Sequence, residues 1–156
     1  MKYILILSVF LTSILISEEL TIQALEFKTD EKKGITIFSG DVSILKSSDE
    51  INASKIVIFT NKKREPIKFV ANGDVSFFIK TKDDASYRGT AQKVIYLPEK
   101  KEYHFFEKVY LEQLGSKKLI IGEEVVLKTV EGKAYAKGAK KEPVIMIFNI
   151  PDEDKK

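Results

Sequence analysis

Cysteine is absent from the 156 residues, so neither a disulfide nor a thiolate metal site is available, and an oxidising compartment is permitted without being required. Tryptophan is absent too, and ten Phe with six Tyr carry the aromatic bulk. Histidine occurs once, as His104 between Tyr103 and Phe105, a setting that suits a structural residue better than a base or ligand. There is no phosphate-binding glycine loop, nucleophile elbow or cluster of metal-ligating side chains. The chain is therefore read as non-enzymatic, with no cofactor and no metal. An excess of one charge is also lacking: 26 Lys and Arg against 23 Asp and Glu leave +3, spread through turns. A nucleic-acid partner needs a denser basic footprint. What is present is 44% hydrophobic residues, enough for one sizeable core in one domain.

Only one long uncharged stretch occurs. Lys2 precedes residues 3–16, YILILSVFLTSILI, and Ser17 is followed by Glu18 and Glu19. Such a run falls short of the roughly 20 residues that span a bilayer, and fits the core of an export signal. Residues 1–17 are expected to be a cleavable signal peptide, 18–149 a single domain and 150–156 a charged tail. A retained membrane anchor and a buried N-terminal strand or helix are the alternatives.

Beyond Ser17 the chain reads as short β runs with polar turns: 20–28, 35–46, 51–60, 67–80, 87–97, 103–113, 119–129, 133–138 and 144–149. These are rich in Val, Ile, Phe, Tyr and Thr, which fit a pleated, half-buried surface. Several alternate, as Val42 and Ile44 against Asp41 and Ser43, or Val109 and Leu111 against Lys108 and Glu112. That period of two predicts sheets with one buried face. Pro66, Pro98 and Pro143 fall between runs, where a missing N–H harms no ladder. No window shows a helical stripe.

A repeat underlies the runs. Gly40-Asp41-Val42-Ser43-Ile44 recurs 33 residues later as Gly73-Asp74-Val75-Ser76-Phe77, and more weakly 34 residues after that as Glu107-Lys108-Val109-Tyr110-Leu111. Each copy precedes a strand with a small residue: Ala53, then Gly89 or Ala91, then Gly122. Such a period predicts stacked strand pairs sharing one core. Asp41 and Asp74 hold equivalent places, so turn or bulge chemistry explains them better than an acid/base pair. The sequon at Asn52 lies inside an expected strand, a poor place for a glycan. Alternation and repeat register give Ile37, Val42, Ile44, Ile51, Val75, Phe77, Ile79, Val109, Leu111 and Ile121 as inward residues. Ordinary core packing would produce the same pattern.

With these repeats the sequence resembles the periplasmic lipopolysaccharide-transport proteins of the LptA (OstA-like) family. The likeness runs from Ile22-Gln23-Ala24-Leu25-Glu26-Phe27 through Gly34-Ile35-Thr36-Ile37-Phe38-Ser39-Gly40-Asp41-Val42 to Ala71-Asn72-Gly73-Asp74-Val75, and covers about 20–137. Glu107 departs from the pattern of Gly40 and Gly73. The resemblance implies an all-β fold, a jellyroll of repeated antiparallel strand pairs open along one seam. It implies a periplasmic carrier that passes lipopolysaccharide from inner-membrane machinery to an outer-membrane translocon, with acyl chains against the inward residues. It further implies strand addition to LptC-like and LptD-like partners or to further copies, through edges bearing Ile22 and Ala24 at one end and Val144, Met146 and Phe148 at the other. A membrane-anchored LptC-like component and a periplasmic scaffold that binds no lipid are the rival expectations.

Overall fold

The computed structural model describes residues 18–151; the expected signal and most of the expected charged tail fall outside the described residues. Ten antiparallel strands form one sheet: β1 (Leu20–Gln23), β2 (Glu26–Asp30), β3 (Ile35–Lys46), β4 (Asp49–Thr60), β5 (Pro66–Lys80), β6 (Ser86–Leu97), β7 (Glu102–Gln113), β8 (Lys118–Lys128), β9 (Lys133–Lys137) and β10 (Ile145–Ile147). The order across the sheet is β1-β3-β4-β5-β6-β7-β8-β10, with β2 also on the outer edge of β3 and β9 also on that of β8. From β2 to β9 neighbours in sequence are neighbours in space, as short polar turns between antiparallel strands require, while β1 and β10 skip one strand to pair with β3 and β8.

The repeat marks where these strands bend. Register slips between Ser39 and Val42 on β3, between Asn72 and Val75 on β5, and between Phe106 and Val109 on β7. At each slip two consecutive residues are left-handed: Gly40 and Asp41 (φ 80° and 45°), Gly73 and Asp74 (83° and 44°), Glu107 and Lys108 (63° and 52°). An extra residue in one strand of a pair kinks it and tightens its twist. Three such bulges in line divide the sheet into two leaves. The first leaf holds β2, β9 and segments 35–39, 55–60, 66–72, 93–97, 102–106 and 124–128. The second holds β1, β10 and segments 42–46, 49–53, 75–80, 86–91, 109–113 and 118–122.

The leaves fold onto each other, and their inward side chains merge into one core cluster. Phe77 of the second leaf lies against Phe105 of the first, ring centroids 4.3 Å apart. Beside the bend, Val42 pairs with Ala53, Val75 with Ala91 and Val109 with Gly122. A branched residue on each bulged strand thus faces a small one on the next, which lets the sheet bend without a clash. The architecture is the expected all-β jellyroll.

Most expected strands shift by a residue or two at an end, and two differ more. The run 20–28 is split into β1 and β2 at Ala24-Leu25, opposite the Gly40-Asp41 bulge, where Leu25 N donates to Gly40 O at 3.1 Å. The bend of β3 leaves a straight partner nothing to pair with. The run 144–149 contributes only Ile145–Ile147.

Candidate functional site

The inward face is a set of apolar rows crossing the strands. Of the residues expected there, Val42, Ile44, Ile51, Val75, Phe77, Ile79, Val109 and Leu111 lie together in the core. Ile37 and Ile121 do not, and this corrects the reading from alternation. Ile37 pairs with Val57 on the outer face, while its neighbour Phe38 pairs with the fully buried Ile56. Ile121 pairs with Tyr110 and Ile145 outside, while Ile120 is buried. Both positions sit in runs that are apolar on both faces, so only the register decides which side turns in.

The inward rows of the first leaf went unseen in the sequence: Ile56, Ile58, Phe69, Ala71, Val94, Tyr103, Phe105, Val125 and Leu127 are all buried. The signal lay in the polar pairs Ser54-Lys55, Gln92-Lys93 and Glu123-Glu124, at which β4, β6 and β8 change the parity of their inward residues.

Side chains fill most of this interior. At Gly89 an added Cβ would lie 2.8 Å from Phe77 Cζ and closer still to the Tyr110 carbonyl, so the space there is taken by the Phe77 ring. Small hollows lie beneath the edges of the sheet. One of about 170 Å³ has a mixed lining, Tyr87, Leu111, Ile120, Ala134 and Met146 together with Gln113 and Lys118. A slot of about 30 Å³ lies under β1, among Leu20, Ile44, Ile51, Phe69, Tyr96 and Tyr103.

The turns of the two leaves meet in a line of polar contacts, which we call the lips. Tyr103 OH donates to Asp49 Oδ2 at 2.8 Å, and Lys80 N donates to Asp49 Oδ1 at 2.9 Å. Burial pushes the Tyr103 phenol far above its usual range, and the Asp49 charge adds to this. Lys46 pairs with Glu18 at 2.7 Å and lies over the Tyr96 ring. Burial also raises Tyr96, against the opposing pull of Lys46.

Of the expected edge residues, Ile22 and Met146 lie in β1 and β10, while Ala24, Val144 and Phe148 lie outside the strands. Ile22 and Val144 pack on the core, and Met146 faces inward opposite Ile120. Ala24 is exposed at the β1–β2 break, and Phe148 is exposed beyond β10. Every residue of β2, β9 and β10 is exposed, and their outer backbone edges pair with nothing among the described residues. His104 is half-buried on the outer face, its Nε2 3.2 Å from Glu102 Oε2. Among the described residues no group of three His, Asp or Glu side chains is placed to hold a metal ion.

Fold and site together define an open β-jellyroll with an apolar interior and two free edges. The sequence model of the family described as LptA/(LptD N-terminal domain) LPS transport protein matches residues 21–133, and the chain belongs to that family. Among solved structures it is similar to LptH of Pseudomonas aeruginosa, described as the LptA-homologous periplasmic component of the conserved lipopolysaccharide transport device. The TM-score is 0.75 at 16% identity, over 85% of this chain and 96% of that one. No curated protein sequence matches the chain significantly.

Proposed function

We propose that this protein is a periplasmic carrier of lipopolysaccharide, acyl chains held between the two leaves, and that it joins its partners by strand addition at its free edges. The observation that carries the reading is the inward face, an apolar surface continuous across the sheet and roofed by its own second leaf. Each buried methylene is worth about 0.8 kcal/mol, so a lipid with several chains needs a long apolar surface of this kind. Family membership supports lipopolysaccharide transport, and the similarity to a periplasmic component supports the compartment.

Charge supports the edges. Between Glu18 and Glu31, which includes β1 and β2, five carboxylates accompany one lysine; between Lys133 and Ile150, which includes β9 and β10, four lysines accompany one glutamate. Opposite edges of opposite sign favour head-to-tail pairing of copies and steer their encounter.

The scaffold reading draws on one observation of its own, that side chains fill the interior. Titration of the purified protein with lipopolysaccharide separates the two. Saturable binding is expected, lost in a Val75→Asp or Phe77→Asp variant shown by circular dichroism to remain folded. No binding by folded wild-type protein would overturn the carrier reading and favour the scaffold.

A further inference from the structure

At the lips, segments of both leaves border an open polar hollow of about 400 Å³. The second leaf supplies Lys46, Asp49 and Lys82, and the first supplies Lys101 and Thr129. A backbone hydrogen bond joins the walls, Lys82 N donating to Thr129 O at 3.1 Å, and within the first wall Thr129 N and Oγ1 donate to Lys101 O at 3.2 and 2.9 Å. The residues at its base, Lys46, Asp49, Tyr96 and Tyr103, are also the roof of the apolar slot under β1. A polar hollow above an apolar slot matches the two parts of an amphiphile, head above and hydrocarbon below.

Four lysines and three carboxylates, Glu18, Asp49 and Asp84, line the hollow, so its balance is positive by one. Lys46 and Lys80 are paired with Glu18 and Asp84, whereas Lys82 and Lys101 have no ion-pair partner among the described residues. Glu18 and Leu20 already reproduce both halves of such a guest. The Glu18 carboxylate rests on Lys46 at 2.7 Å, and Leu20, 37% exposed, lines the slot below, which is about 30 Å³. We propose that this hollow and slot are a site for an anionic amphiphile, its head on Lys46, Lys82 and Lys101 and a chain in the slot, with Glu18 and Leu20 holding the place until it displaces them. The proposal rests on the carrier reading and adds where on the roll the head group sits.

The test is calorimetric titration with dodecyl phosphate below its micellar concentration, with dodecyl maltoside and inorganic phosphate as comparisons. Lys82→Gln and Lys101→Gln are exposed changes that leave the core intact. Each is expected to weaken dodecyl phosphate about fivefold and to leave dodecyl maltoside unmoved, the signature of lost charge-assisted hydrogen bonds. Glu18→Gln and Leu20→Ala are each expected to tighten dodecyl phosphate about threefold, by removing a competitor. Inorganic phosphate is expected to bind far more weakly, for want of a chain. Equal effects on both amphiphiles, no effect of the lysine changes, or weaker binding in Glu18→Gln would overturn the assignment. If lipopolysaccharide binds while those results fail, the head-group site falls alone; if folded wild-type protein binds neither lipid, the carrier reading falls with it.

Discussion

A left-handed backbone costs a residue with a Cβ about 1 kcal/mol or more, and glycine escapes that cost. The three bulges meet the demand unequally. At Gly40-Asp41 and Gly73-Asp74 glycine takes the first left-handed position and aspartate, which tolerates this region, the second. At Glu107-Lys108 neither residue suits its conformation. Glu107→Gly is therefore expected to stabilise the protein by about 0.5–1 kcal/mol, a rise of about 1–4 °C in Tm. An unchanged or lower Tm would mean that a Glu107 contact outweighs the strain. Gly73→Ala runs the other way and is expected to cost more than about 1 kcal/mol. Its new Cβ would lie 2.8 Å from Ser54 Oγ, which itself donates to Gly73 O at 3.2 Å. The repeat made these bulges legible, because glycine before aspartate recurs at a fixed spacing. Their consequence for parity was hidden. Counting in twos from Ile51 along β4 points to Val57, whereas the turn of Ser54-Lys55 outward brings in Ile56.

Among the strands, those at the edges have the least holding them. β1 is four residues long and is kept by pairing with β3, by Leu20 and Ile22 against the interior, and by the Glu18–Lys46 pair. The hydrogen bond from Lys46 holds the Glu18 carboxyl below its ordinary 4.5. Partial burial works to lower Lys46, but Glu18, Tyr96 and Asp49 together outweigh it and keep the ammonium above its ordinary 10.5. A lowered carboxyl contributes fully above pH 4.5 and loses its contribution as pH falls through the folded value. A raised amine contributes fully below pH 10.5 and loses it as pH rises through the folded value. β1 is accordingly expected to hold at neutral pH and loosen in acid. Amide-exchange protection measured at pH 7 and pH 3 should fall in β1 while β5 and β6 keep theirs, and Glu18→Gln should remove most of that difference. A uniform loss across the sheet would point to acid unfolding of the whole molecule instead. The long central strands were legible because they alternate. Run 144–149 was not, since apolar residues on both faces give no period; Ile145 and Ile147 face out while Met146 faces in only because β8 fixes their register.

For the whole molecule, the proposed carrier role asks how a packed interior would take in lipid. Cores are close-packed, so chains would enter only where the wall separates along a line of weak contacts. Among the described residues two such lines occur: the free edges, and the lips, where the leaves meet through side-chain and turn hydrogen bonds rather than a strand ladder. Neither line was legible in the sequence, because Asp49 with Tyr103 and Lys82 with Thr129 are far apart along the chain and come together only when the leaves close. The chain's lack of cysteine makes the lips directly testable, since the only disulfide that can form is one introduced. Lys82 N and Thr129 O are 3.1 Å apart, so the two backbones adjoin there, and a disulfide accepts Cα atoms roughly 4.4–6.8 Å apart. A Lys82→Cys, Thr129→Cys double variant, oxidised, is expected to bind lipopolysaccharide at least about tenfold more weakly than its reduced form, because the bridge removes the open state from the equilibrium. Comparing the oxidised and reduced forms of one variant cancels the loss of the Lys82 charge. Equal binding by the two would mean that the lips stay shut and that chains slide in beneath the edges at β1 or β10, and the same experiment with a bridge across an edge would then be expected to show the loss.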